Sequence, residues 1–359
     1  MGKRITLADV AAAAGVSSTT ASLVLSGRGR ELRISEAAQQ RVHATADELG
    51  YRPNAVSRGL RTGTSRTIGF VSDTVATSQL AGDMIQGALD AALAHDYMLF
   101  IGESEGDTAV EDRLVETMLD RQVDGVVLAS MFTRMRPPPA AVAHTPAVLL
   151  NALPTAPTPL PSVVPDELEA GRAAARLLLA AGHREIHLVG AGPTDRDVPP
   201  ATVAGRERLA GITQALREAG VELASGRRCI DWLPPHGWRA TRDILDSSGA
   251  PGAIVCFNDR LAFGAYQALT EAGLRVPDDV SVVSFDDSPL ASWLRPGLTT
   301  FAIPHYELGR RAVEMLLGAL QGDDDGTGDE LERPGVVERI AMPLRSRGSV
   351  AEPRRHGGR

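Results

Sequence analysis

Two stretches of this sequence carry residue types at spacings that do chemistry. The first is a run of hydroxyls, Ser17-Ser18-Thr19-Thr20-Ala21-Ser22, directly after Gly15-Val16. Short hydroxyl side chains donate and accept at close range, which suits base edges and phosphates. The second is Gly102-Glu103-Ser104-Glu105-Gly106, a match to the G-x-S-x-G elbow of serine hydrolases between a strand and a helix. A hydrolase built on Ser104 also needs several strands upstream, an oxyanion loop, and an Asp and a His later in order. Only the run Ile68–Val71 precedes it in the strand-rich part, and the flanking glutamates oppose a developing oxyanion. The match reads as an accident of a glycine-rich chain, and a hydrolase is the least favoured reading. The sequence has no P-loop, G-x-G-x-x-G or zinc spacing, and Asp323-Asp324-Asp325-Gly326 lacks the alternation of a calcium loop. No cofactor and no metal are expected, and the chain is not expected to be an enzyme.

The hydroxyl run needs helices to position it, and the local signals supply three. Thr6 caps the first, with Asp9 three residues on as in a capping box, and Leu7, Val10, Ala11 and Ala14 share a face. Gly15 ends it. Ser17 caps the second, with Ala21, Val24 and Leu25 inward, and Ser35 caps a third with Val42, Ala46 and Leu49 inward. Two helices on a tight Gly15-Val16 turn fit a helix-turn-helix, whose second helix would turn Ser18, Thr19, Ser22 and Leu23 to base edges. Thr6, Ser17, Ser35 and the arginines of the 28–33 loop are the phosphate candidates. Charge agrees: the first 66 residues hold ten basic and five acidic side chains, net +5, leaving −13 on the rest of a chain of net −8. A basic head on an acidic body points to nucleic-acid contact by the head alone.

Beyond a linker at Arg61-Thr62-Gly63-Thr64-Ser65 the pattern changes. Short apolar runs (Ile68–Val71, Leu99–Ile101, Gly125–Leu128, Ala147–Leu150, Ile186–Val189, Ala253–Phe257, Val280–Phe285) alternate with amphipathic stretches. That is the pattern of parallel sheets with helices on both faces. The spacing divides the chain into a helix-turn-helix head at 1–50, a short segment and linker at 51–66, an α/β body at 67–345, and a tail at 346–359, of which 349–359 are expected to fray. Residues 321–330 read as a solvated acidic loop. Cys229 and Cys256 lack metal-ligand spacing, no apolar run approaches a membrane span, and the N-terminus has no apolar signal core. A cytoplasmic, nucleoid-associated protein with no membrane partner is expected.

The residues go further than a generic hairpin. Thr6-x-x-Asp9-Val10-Ala11-x-x-Ala14-Gly15-Val16-Ser17-x-x-Thr20-x-Ser22-x-Val24-Leu25 and Glu48-Leu49-Gly50-Tyr51-Arg52-Pro53-Asn54-Ala55 resemble the head of the lactose-repressor (LacI/GalR) family. Gly182-His183-Arg184-x-Ile186, Asn258-Asp259-x-x-Ala262-x-Gly264, Val276-Pro277 through Phe285-Asp286-Asp287, and Pro296-x-Leu298-Thr299-Thr300 extend the likeness almost to the C-terminus. The resemblance implies a homodimer on a palindromic double-stranded operator, with Thr20, Asn54 and Ser57 among the DNA-contacting set. It implies a hinge that folds on DNA and a leucine, Leu60, wedged into the minor groove. Ser57 stands where alanine is common, Gly59 weakens the hinge helix, and Leu23 replaces a frequent arginine, so no relative's operator carries over.

For the body, the resemblance implies two Rossmann-like lobes of the type I periplasmic-binding-protein kind, with a small-molecule effector in the cleft between them. Four residues match effector-contacting positions. Arg208 would fork onto hydroxyls or a carboxylate, Asp286 would accept from hydroxyls, Asn258 would do both, and Trp232 would offer a flat face to a sugar ring. Asp73, Thr77 and Gln79, after the first strand, are further candidates. Asn151 stands where some relatives place an acidic sugar contact, and His183 reads as structural. The expectation is a transcriptional repressor switched by a sugar. A corepressor-dependent purine-type regulator stands second, and a solute-binding protein without DNA activity is the reading from another class.

Overall fold

The computed structural model describes residues 5–52, 63–78, 82–200, 202–322 and 335–354. The chain divides into two compact units, Met1–Arg66 and Thr67–Arg359. No single helix among the described residues is long and apolar enough to cross a membrane.

In the first unit α1 (Leu7–Ala14), α2 (Ser18–Leu25) and α3 (Glu36–Glu48) pack around Val10, Ala11, Ala14, Ala21, Val24, Val42 and Ala46. The local signals explain each boundary. The Thr6 hydroxyl and the Asp9 carboxylate form a reciprocal capping box, and Gly15 closes α1 in the left-handed region at φ 66°. The Ser17 hydroxyl accepts from the Thr20 amide at 3.0 Å and opens α2.

The second unit is two lobes of one plan. The first lobe's sheet runs in the order β11 (Val337–Ile340), β5 (Ser162–Pro165), β4 (Ala147–Pro154), β3 (Gly125–Arg136), β1 (Thr67–Ser72), β2 (Met98–Glu103). The second lobe's order is β12 (Leu344–Arg345), β10 (Thr299–Ala302), β9 (Ser281–Asp286), β8 (Ala253–Cys256), β6 (Ile186–Gly190), β7 (Ser225–Arg228). Among the described residues every pairing is parallel except β10 with β12. Alternation within the strands sorts the core: Ile68 and Phe70 face one layer of the first lobe, Val71 the other.

The helices are α4 (Gly82–Ala94), α5 (Thr108–Asp120) and α11 (His305–Gly322) in the first lobe. The second holds α6 (Glu167–Ala180), α7 (Val203–Glu218), α8 (Pro234–Ser248), α9 (Asp259–Glu271) and the short α10 (Pro289–Trp293). Three pairs lie unusually close because each member offers a glycine to its partner's backbone. They are Gly87 and Gly309 for α4 with α11, Gly171 and Gly211 for α6 with α7, and Gly237 and Gly264 for α8 with α9. A Cβ at any of the six would overlap a carbonyl oxygen of the facing helix.

The chain crosses between lobes three times, after β5, after β10 and between β11 and β12. Beside the last crossing, Arg339 of the first lobe donates twice to Glu207 of α7, at 2.7 and 2.8 Å. Residues 349–354 correct the expectation of fraying, and 355–359 lie outside the described residues. The Ser349 hydroxyl donates to the Val282 carbonyl at 2.6 Å and accepts from the Thr299 amide at 2.8 Å, and Ala351 is tied to Ser281 and His183. Buried polar groups of the second lobe need these partners, so residues 349–351 cap the first residues of β9 and β10.

Candidate functional site

In the head, the caps use part of the hydroxyl chemistry expected for DNA. The Thr6 hydroxyl donates to Asp9 at 2.7 Å, and the Ser17 and Thr20 hydroxyls share a hydrogen bond of 2.8 Å. Ser18 and Thr19 are exposed, Ser22 and Leu23 half-exposed, and Ala21 and Val24 buried. This leaves one short hydroxyl-bearing face of α2 directed to solvent. Asn54, Ser57 and Leu60 lie outside the described residues.

In the body, both sheets have the strand order that places ligands at the carboxyl ends of strands, where the winding reverses. A cleft of about 910 Å³ opens there, lined from the first lobe by Met131, Phe132, Asn151 and His305, and from the second by Arg208, Trp232, Asn258, Arg260 and Asp286. Four of the residues expected from sequence converge on it: Arg208 from α7, Asp286 at the end of β9, Trp232 just ahead of α8 and Asn258 just ahead of α9.

Arg208 is 2 % exposed. Its Nε and Nη2 donate to the two oxygens of Glu167 at 2.6 and 2.9 Å, and Nη1 donates to the Phe257 carbonyl. Three of five N–H groups are so used, and Nη2 lies 3.7 Å from Asp286 Oδ1. The guanidinium also stacks 4.5 Å from the Phe285 ring centroid. Glu167, which sequence reasoning missed, fixes it; the residue sits just past the first crossing, where nothing local marks it. The Asn258 amide is engaged at both ends: it caps α9 by accepting from the Leu261 amide at 2.8 Å and donates to the Trp232 carbonyl at 3.1 Å. The Trp232 indole is pinned in turn by its hydrogen bond to the Gly190 carbonyl.

Asp286 has φ 109° and Asp287 φ 56°, left-handed values that non-glycine residues seldom adopt in succession. Such strain concentrates where structure serves a site. Burial pushes the Asp286 carboxyl up to about 8, with Arg208 and Arg260 opposing and Asp259 and Glu167 reinforcing. Burial also raises Asp259 to about 6, against hydrogen bonds from Thr300, Ser288 and Ser284. Between the unfolded value and these raised ones, only the unfolded chain has released the protons. Stability therefore falls as pH rises through that window. Above pH 6 the fall belongs to Asp286, and Asp286→Asn is expected to flatten stability between pH 6 and 8 in urea titrations; an unchanged slope would show that the carboxyl ionises normally.

Asp73 and Thr77 do not line the cleft. The Asp73 carboxylate accepts from the Thr74 and Met131 amides and pairs with Arg134 at 2.9 Å, and Thr77 donates to Glu103 from its amide and hydroxyl. Gln79 lies outside the described residues. Asn151 lines the cleft, with φ 55°, but its amide is spent on the Ser130 and Met131 carbonyls and the Thr133 hydroxyl. His183 is structural, bonded to Ser281 and the Ala351 carbonyl.

A helix-turn-helix head in one unit and a two-lobed cleft in the other define a class, a DNA-binding transcriptional regulator with a body made to hold a small molecule. Comparison with known proteins gives the particular family. Residues 6–54 match the bacterial regulatory proteins of the lacI family, and residues 175–340 match a periplasmic binding protein-like domain. The ribose operon repressor of Escherichia coli K12 is 32 % identical over 324 residues, 87 % of this chain and 92 % of that protein. The repressor CytR of the same organism is 31 % identical over 339 residues, 91 % of this chain and 93 % of its own. The crystal structure of the lac repressor dimer bound to operator and the anti-inducer ONPF matches with a TM-score of 0.77 at 27 % identity, covering 97 % of this chain and all of that one. The chain belongs to the lacI family of bacterial regulatory proteins.

Proposed function

We propose that this chain is a cytoplasmic repressor that binds a palindromic operator as a homodimer and changes its grip when a sugar-like effector enters the cleft. The observation that carries the reading is the cleft wall formed by Arg208, Asp286 and Trp232, which joins a guanidinium with two spare N–H groups, a carboxyl and an aromatic plate. That set suits a polyol with one apolar face. Base reading falls to Ser18, Thr19, Ser22 and Leu23, and minor-groove contact to the stretch around Leu60. A dimer is supported by an exposed apolar edge, with Met98, Phe100 and Ile101 on the edge strand β2 and Leu89 and Leu93 on the neighbouring α4. Without a second copy this edge would be a liability. Catalysis is disfavoured at Ser104: the residue is buried, its hydroxyl donates to the Ser72 carbonyl at 3.2 Å, and the Gly106 amide donates to it at 3.4 Å.

Gel shifts with the DNA upstream of the protein's own coding region test the reading, with and without a panel of sugars and nucleosides. A specific shift is expected, altered roughly 5- to 150-fold by the effector. Weakening marks an inducer, strengthening a corepressor. A chain starting at Thr67 should lose the shift and keep ligand binding. Retained specific binding by that truncation would overturn the assignment of the head.

A further inference from the structure

We propose that the effector carries an anionic oxygen group, a phosphate ester or a carboxylate, held in the cleft by the guanidinium of Arg260. The inference rests on the effector reading above and narrows it. Among the described residues five arginines line the cleft. Arg134 pairs with Asp73, Arg208 with Glu167, and Arg345 and Arg347 both with Asp287. Arg260 stands apart: among the described residues no hydrogen bond or ion pair reaches it, and its Nε is buried without a partner.

The carboxylates around it are committed elsewhere. Asp259 accepts from the Ser288 amide and hydroxyl with one oxygen, at 2.7 and 3.1 Å, and from the Thr300 hydroxyl with the other, at 2.8 Å. Asp287 is held by Arg347 at 2.6 Å. Asp286 lies nearer Arg208, 3.7 Å from its Nη2, and makes no hydrogen bond or ion pair with Arg260. A buried guanidinium nitrogen with no partner is costly, and a ligand oxyanion relieves that cost with charge-assisted bonds. The position reinforces the effect, because Arg260 is the second residue of the thirteen-residue α9, whose amino end carries partial positive charge. The two N–H groups that Arg208 keeps free leave it able to hold the hydroxyls beside such a group.

The test is calorimetry and thermal shift on the full chain at fixed ionic strength. The probes are neutral sugars (D-ribose, D-glucose), their phosphate esters (D-ribose 5-phosphate, D-glucose 6-phosphate) and the matching acids (D-ribonate, D-gluconate). A charged member is expected to bind at least tenfold more tightly than its neutral parent. Arg260→Gln should remove that advantage, a loss of roughly 10- to 100-fold, and Arg260→Lys should restore part of it. The ester and acid arms decide between phosphate and carboxylate. Neutral sugars binding as well as their charged forms, with Arg260→Gln indifferent, would overturn the anionic group and leave the effector reading standing. If no probe, charged or neutral, shifts the unmodified chain, both fall.

Discussion

Arg208→Met will destabilise the body by about 3–5 kcal/mol and remove its response to effector, because it strands a buried carboxylate. Glu167 is 1 % exposed, and both of its oxygens accept from the Arg208 guanidinium. Removing the cation leaves that charge without compensation and leaves the Phe257 carbonyl without its donor. The melting temperature of the body should drop by roughly 5–15 °C. Removing the carboxylate as well should reverse most of this. An apolar pair of similar volume often matches or exceeds a buried ion pair, so Arg208→Met with Glu167→Leu is expected to melt near the unmodified chain. The double variant still lacks the guanidinium, so ligand saturation should not return. Calorimetric melts of the four combinations measure the coupling. A single variant melting within a degree of the parent would mean that Glu167 finds water or a proton instead.

The second large effect tests the glycine contacts between helices. Gly309→Ala places a methyl against the Met84 carbonyl of α4, and a backbone atom cannot rotate away. The helices must separate, at an overpacking cost of about 1–3 kcal/mol or more. Gly318 lies on the same helix, and a Cβ there meets nothing within 4 Å. Gly318→Ala should therefore stabilise by about 0.5–1 kcal/mol through helix propensity alone. The same substitution nine residues along one helix should thus have opposite signs. Urea midpoints report both, and two shifts of one sign would show that α11 and α4 do not pack as described.

The head was legible because its instructions are local. Thr6 with Asp9, Gly15, Ser17 and Ser35 each act within four residues of themselves, and the helices begin and end where those residues stand. The longer core strands were legible for the same reason. Leu99–Ile101 proved to be the centre of Met98–Glu103, while Gly125–Leu128 runs on to Arg136 past a register shift that no apolar pattern marks. The short strands β5, β7, β10, β11 and β12 were not legible, since they are defined by distant partners: β11 pairs with β5 across some 170 residues of chain. The cleft divides in the same way. Arg208, Trp232, Asn258 and Asp286 could be named from motifs that surround them. Glu167, Arg260 and His305 could not, because their meaning lies in what faces them from another element. Asp73 and Thr77 show the converse, since a loop beside the right strand says nothing about where its side chains find partners.

The triple passage of the chain between lobes bears on how the protein is made. The amino-terminal lobe is begun early, yet its helix α11 and edge strand β11 are supplied by residues 305–340. On the ribosome, most of the carboxyl-terminal lobe emerges while its predecessor still lacks the cover over Met84, Ala88 and Val127. Synthesis at about 5–20 residues per second keeps that sticky surface open for many seconds. Nascent chains stalled between residues 170 and 300 should therefore be the ones that chaperones hold longest.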